Sequence, residues 1–154
     1  MKKILKKVLL IVLAAVVLTA NATGFVAWRA ESRCITRFAK IELGSSTRFS
    51  EAERQTAVGL VLGTFQESYN DCFLKRIYYN EAESLELAPS YIDQPQYNIY
   101  GKDPNDIIVL FSDFRTGALT DGGFERNQSY HRWTWYLIRD NAKSPWREYS
   151  HGYC

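Results

Sequence analysis

The chain has 154 residues, 46% hydrophobic and 23% charged, which is apolar enough for a buried core and excludes an intrinsically disordered segment. Less the 28 residues read below as membrane-directed, 126 remain, and two full domains are excluded. The net charge of +2 arises at Lys2, Lys3, Lys6 and Lys7; removing those four from the 19 Lys and Arg leaves 15 against 17 Asp and Glu, scattered instead of striped, so nucleic acid is excluded as a partner.

Residues 1–7 form a basic segment, and residues 8–28 follow as VLLIVLAAVVLTANATGFVAW, 21 positions without a charge. As a helix this run spans about 30 Å of hydrocarbon. Four lysines precede it, whereas Arg29, Glu31 and Arg33 follow with nearly balanced charge, so the positive-inside bias predicts a single-pass cell-membrane protein, amino terminus cytoplasmic and carboxyl-terminal domain extracellular. The alternative is a signal peptide cleaved near Ala22, at Ala20-Asn21-Ala22, giving a secreted protein. The apolar run resumes at Gly24-Phe25-Val26-Ala27-Trp28, and Trp28-Arg29 resembles an interfacial anchor, which favours retention. Cys34 follows the charged and polar Glu31-Ser32-Arg33, a context that excludes a lipoprotein cysteine.

Residues 29–48 read as a juxtamembrane segment and 49–154 as an extracytoplasmic α+β domain. The stripe Ile35, Phe38, Ala39 and Glu42 predicts a helix over 35–43. After the turn-forming run from Gly44, Ser50 caps and Glu53 completes a capping box. Val58, Val61, Leu62, Phe65, Tyr69 and Cys72 then place one apolar stripe on a helix over 51–71. Gly59 and Gly63 each cost that helix about 1 kcal/mol against alanine, and close packing on a sheet is the expected gain.

Strands are predicted over 73–79, 106–114, 131–139 and 146–153. The continuous run Ile107-Ile108-Val109-Leu110-Phe111 predicts a strand covered on both faces or central in the sheet. In the third strand, Trp133, Trp135 and Leu137 point one way and Thr134, Tyr136 and Ile138 the other. Asn80-Glu81-Ala82-Glu83-Ser84 reads as a polar connection. Pro89, Pro95 and Pro104 mark 86–105 as irregular and a candidate lid or binding loop. The expected fold is thus one long amphipathic helix packed on a curved antiparallel sheet of about four strands, preceded by the transmembrane helix.

A resemblance rests on particular runs. They are Leu43-Gly44, Arg48-Phe49-Ser50-Glu51-Ala52-Glu53, Asp71-Cys72, Tyr78-Tyr79-Asn80-Glu81 and Ile107-Ile108-Val109-Leu110-Phe111-Ser112-Asp113-Phe114. They continue with Asn127-Gln128-Ser129-Tyr130, Trp133-Thr134-Trp135-Tyr136-Leu137-Ile138-Arg139, Trp146 and Gly152-Tyr153. Together they resemble a small, uncharacterised, membrane-anchored extracytoplasmic family of Gram-positive bacteria, over residues 41–153. More distantly, they are similar to the cone-shaped nuclear-transport-factor-2-like fold. The resemblance implies a fold and an address and transfers no catalytic residue; the terminal Cys154 departs from its pattern.

Asp113, Arg115, Trp135 and Arg139 are the candidate ligand-binding residues, because each sits on or beside an aromatic-rich strand. Arg115 or Arg139 is the expected partner of Asp113. Trp133 and Trp135 present two indoles on one face; such faces stack sugars or cations, but the favoured reading is core packing, because one helix and one sheet need large side chains to fill the space between them. His131 and His151, the only histidines, are too few for a catalytic zinc site. Asp103-Pro104-Asn105-Asp106 and Asp121-Gly122-Gly123 lack calcium-loop spacing, and Ser112-Asp113 lacks a nucleophile elbow. No catalytic residue, metal or cofactor is assigned, and an enzyme is not the favoured reading. The leading function is a membrane-tethered binding or interaction module with a protein or small-molecule ligand. The alternatives are a cone-like pocket enzyme or small-ligand binder, or an immunity or assembly partner of an exported protein. A helical 35–43 would hold Cys34 away from Cys72, so no bridge between them is expected and Cys154 stays free.

Overall fold

The computed structural model describes residues 33–89, 93, 95, 96, 99, 101–121 and 123–153. The span expected at residues 8–28 lies outside them; among the described residues no helix is long and apolar enough to cross a membrane. The elements run β1 (Lys40–Glu42), α1 (Glu51–Ser68), β2 (Cys72–Tyr78), α2 (Glu81–Leu87), a 3-10 turn (Pro104–Asp106), β3 (Ile107–Thr116), β4 (Ser129–Ile138) and β5 (Arg147–Gly152). The strands form one sheet in the order β1-β2-β3-β4-β5; β1 is parallel to β2 and the other neighbours are antiparallel. The class is α+β, but among the described residues two helices and a mixed five-stranded sheet replace the expected single long helix and four antiparallel strands.

α1 begins as its spacing predicts. Ser50 Oγ accepts from the Glu53 N–H at 3.2 Å, and the Glu53 carboxylate accepts from the Ser50 N–H at 2.7 Å. Arg54, Ala57, Val58, Val61 and Phe65 form its buried stripe. The helix has 18 residues and ends at Ser68, short of the expected Asp71. The chain must turn there to deliver Cys72 to the sheet. Tyr69 is already extended, and Asp71 takes a φ of 45° while its carboxylate accepts from the Leu119 N–H at 2.6 Å.

The expected helix over 35–43 is replaced by a strap along β2. Ile35 pairs with Phe73, Lys40 with Arg76 and Glu42 with Tyr78, all in parallel. The Ile35 N–H donates to Cys72 O at 2.7 Å, and the Leu74 N–H to Ile35 O at 3.0 Å. The expectation of no bridge is overturned as well: Cys34 and Cys72 are disulfide-bonded, their Cα atoms 4.3 Å apart. A local stripe at helical spacing lost to backbone pairing with β2, which satisfies donors and acceptors that a short exposed helix leaves to water. Gly44 then turns the chain at φ 59°, where a Cβ would lie 2.8 Å from Tyr79 O, so only glycine fits.

Both faces of the sheet are covered, which is why Ile107 to Phe114 are all buried. One face packs Leu74, Ile77, Ile108, Leu110, Phe114, Trp135 and Leu137 against Val58, Val61 and Phe65 of α1. The opposite face holds Ile107, Val109, Phe111, Tyr136 and Ile138 beneath Ala88, Ile99 and the half-buried Leu87. Truncating a fully buried aromatic such as Phe65 would cost about 3–5 kcal/mol. Within 86–105, then, Ala88 and Ile99 are core residues; most of 90–100 lies outside the described residues. α2 replaces the polar connection expected at Asn80 to Ser84. Asn80 caps it, accepting from the Glu83 N–H at 3.2 Å, and the buried Ser84 Oγ accepts from the Val109 N–H at 3.1 Å. β2 ends opposite Phe111, so α2 supplies the acceptor that the sheet no longer offers to Val109.

Candidate functional site

The structure does not bring Asp113, Arg115, Trp135 and Arg139 together. Asp113 is buried on the α2 side, where one carboxylate oxygen accepts from Arg76 Nε at 2.7 Å and the other from the Arg132 N–H at 2.9 Å. Arg76, and neither Arg115 nor Arg139, is its cationic partner. The ladder between β3 and β4 slips between Ser112 and Phe114, and Arg132 takes a φ of 54°. Asp113 therefore supplies an acceptor to a backbone N–H that the bulge strands. Burial pushes its carboxyl pKa up, but the Arg132 N–H and the Arg76 guanidinium outweigh burial and hold it below the ordinary value. With both oxygens engaged and the charged form favoured, Asp113 is poorly placed to act as a general acid. His131 Nδ1 stands 3.7 Å from it, and Arg115 is exposed.

Arg139 is 4% exposed and clamps the start of α1. It reaches Glu53 at 2.6 Å, Asp106 at 3.2 Å and the Asn105 carbonyl at 2.9 Å, with its guanidinium 4.5 Å from the centre of the Trp146 ring. Arg139 and the Ser50 cap hold the Glu53 carboxyl down to about 2. Trp135 is fully buried, its indole N–H donating to Ser112 Oγ at 2.9 Å. The paired indoles do share a face, as their alternation predicts, but Trp133 lies nearer its open end and is only half-buried.

That open end is an aromatic cup of about 410 Å³, built where α1 stops, β4 starts and β5 finishes. Tyr69, Phe124, Tyr130, Trp133, His151 and Tyr153 line it. Trp133 stands nearly perpendicular to Tyr130 and to Tyr153, with ring centres 5.8 and 5.2 Å away, and Phe124 lies 5.4 Å from it. Tyr153 is 60% exposed, whereas Tyr69 is 5% exposed and forms part of the wall. The Tyr69 hydroxyl and the Trp133 indole N–H are both sealed from solvent and lack a hydrogen-bond partner. Burial pushes the Tyr69 phenol pKa well up; the nearby Trp133 N–H opposes that rise without the geometry of a hydrogen bond. His151 Nδ1 is 2.6 Å from Glu148, whose other oxygen accepts from Thr64 Oγ1 at 2.9 Å.

On the other side of β4, a second cleft of about 420 Å³ is lined by Leu87, His131, Arg132, Thr134 and Tyr153. Both volumes exceed the roughly 300 Å³ at which small-ligand sites begin. Arg132 is tied there to Glu83 at 2.7 Å, and Asp113 is not among the lining residues. The cup was only partly legible in the sequence. The Trp133-x-Trp135 alternation reads first as core packing, which holds for Trp135, while Tyr69 reads as helix stripe, and Phe124 and Tyr153 carry no periodic signal. Compared with known proteins, the chain matches no family model, no curated protein and no solved structure.

Proposed function

We propose that this chain is a membrane-tethered, extracytoplasmic binding module that seats its ligand in the aromatic cup. The tether and the address rest on the uncharged run at 8–28 with lysines on one side of it only. The observation that carries binding is the cup itself: aromatic faces lining an open hollow, with two side chains whose only polar atoms are buried and unpartnered. Each such atom costs about 1–3 kcal/mol, a cost that native structures meet at few places and retain where something else uses the site.

The ligand chemistry follows from the walls. Stacking on Trp133 and Tyr153 suits a ring with an apolar C–H face. Ser68 and His151, also on the lining, offer hydroxyl and imidazole hydrogen-bonding groups to oxygens. A neutral saccharide combines the two properties. Titrating the full chain in detergent with neutral oligosaccharides should raise the unfolding midpoint progressively with concentration, by about 2.7 kcal/mol of stabilisation at a hundredfold excess over Kd. Tyr153→Ala, at an exposed position, should abolish the rise while leaving the unliganded midpoint unchanged. A panel without a concentration-dependent rise, or a rise that survives both Tyr153→Ala and Trp133→Ala, removes the reading. Protease digestion of intact cells tests the address separately: cleavage within 49–153 is expected, and full protection would place the domain inside.

A further inference from the structure

The strap along β2 carries an unusual surface. Ile35, Phe38 and Phe73 are 43%, 64% and 39% exposed. They lie along the strap and the strand it pairs with, Ile35 directly beside Phe73. Around them Arg37, Lys75 and Arg115 are all exposed, and the Arg37 guanidinium sits 4.6 Å from the centre of the Phe38 ring. Acidic charge is quenched locally. Glu42 is taken by Lys40 at 2.6 Å and Arg76 at 3.5 Å, and the Asp71 carboxylate is turned to the Leu119 N–H. Large apolar side chains set among unopposed cations are the composition of a surface that enters the headgroup layer of an anionic bilayer.

The chain's own length names the occupant. The disulfide from Cys34 to Cys72 removes slack at the start of the strap. From Trp28, the last residue of the uncharged run, to Arg33 there are five residue steps, which span at most about 18 Å when fully extended. A surface held that close to the bilayer meets lipid at a far higher effective concentration than any free partner. We infer that the edge formed by Ile35, Phe38 and Phe73, with Arg37, Lys75 and Arg115, docks on the bilayer surface through anionic headgroups. This rests on the proposed span at 8–28. Docking there would give the extracytoplasmic domain a fixed attitude on the membrane, set by one edge of the sheet.

The test uses the full chain in vesicles of phosphatidylcholine and phosphatidylglycerol. Cys154→Ser leaves the disulfide intact, and an environment-sensitive fluorophore is placed at Phe38→Cys or, as a control, at the exposed Leu119→Cys. With doxyl-labelled lipid, the probe at 38 should lose emission and shift to the blue, and the probe at 119 should do neither. Arg37→Glu combined with Lys75→Glu should restore the emission at 38. Equal, aqueous behaviour at both positions in chains that float with the vesicles overturns the docking and leaves the tether standing. Chains that do not float overturn both. A shift at 38 that vanishes as the lipid-to-protein ratio rises assigns the edge to a second copy of the chain and also overturns the inference.

Discussion

The two ends of α1 lie on the same face of the same sheet, both against aromatic side chains, yet their polar atoms are in opposite states. At the first turn, Arg139 directs Nε, Nη1 and Nη2 at Asp106, Glu53 and Asn105. Arg48 and Arg54 each leave one buried nitrogen there without a partner, but other nitrogens hold them: Arg54 Nη1 donates to Phe49 O at 2.6 Å, and Arg48 Nη2 to Pro104 O. Past the last turn, Tyr69 and Trp133 have a single polar atom each, and neither has a partner. A charged residue beside aromatics is therefore a poor marker of a site by itself. What separates fastening from receptivity is whether the hydrogen-bonding capacity is already spent.

If that contrast is right, the two ends should fail differently when their fastenings are cut. The largest effect is expected at the cup end, where the disulfide joins Cys72, three residues after Tyr69, to Cys34. The pair is separated by 38 positions, and constraining such a loop in the unfolded chain is worth about 4 kcal/mol. Replacing both cysteines by serine should lower the stability accordingly and raise the urea slope, because the unfolded chain expands without the cross-link. Native-state exchange should then show the Ile35, Tyr69 and Leu74 amides losing more protection than those of the first turns of α1. Uniform loss along the helix would mean that its two ends are not separately fastened.

At the opposite end, Arg139→Ala leaves Glu53 and Asp106 facing one another without the cation between them. A cost of about 3 kcal/mol is expected, read from the urea midpoint with the response of the cup to its ligand unchanged. A loss below about 1 kcal/mol would reduce the clamp to a surface ion pair.

The sequence carried these two ends unequally, for physical reasons. The capping box, the apolar stripe and the doubly buried strand were legible because periodicity and local hydrogen bonding determine them. Arg139 was marked as a possible ligand contact, yet its partners lie on α1 and in the 3-10 turn, too distant in sequence for any local rule to join them. β1 and the disulfide were missed together. The stripe of Ile35, Phe38 and Ala39 fits a helix, and only pairing with β2 decides against it. α2 was missed because seven residues give barely two turns of periodicity, although Asn80 and Glu83 spelled its cap.

A smaller effect tests the clamp by titration. Glu53 has its pKa depressed from 4.5 to about 2 in the folded chain, so its contribution is complete above the unfolded value and disappears as pH falls from about 4.5 toward 2. Glu53→Gln should flatten the fall in unfolding midpoint across that window. Glu81, held near 2 by the Ser46 and Thr47 hydroxyls, and Asp113 should leave a residual slope. A variant whose pH profile parallels the parent's would show that Arg139 acts through Asp106 and Asn105 of the 3-10 turn and not through Glu53.

The smallest effect concerns the outward side of α1, between the two ends. Close packing on the sheet was the expected reason for Gly59 and Gly63, but a Cβ at either position would meet nothing within 4 Å. Gly59 is exposed in the helix interior, so the glycine contributes no approach between elements and leaves only its entropic cost. Gly59→Ala should therefore stabilise the domain by about 1 kcal/mol, a rise in urea midpoint with the slope unchanged. The clamp and the cup lie at the helix ends, so the same substitution should leave both the pH profile and the ligand response as they are. A loss of stability would instead mean that another surface approaches this side of the helix in the intact protein, and the comparison of its two ends would then have to include what covers the middle.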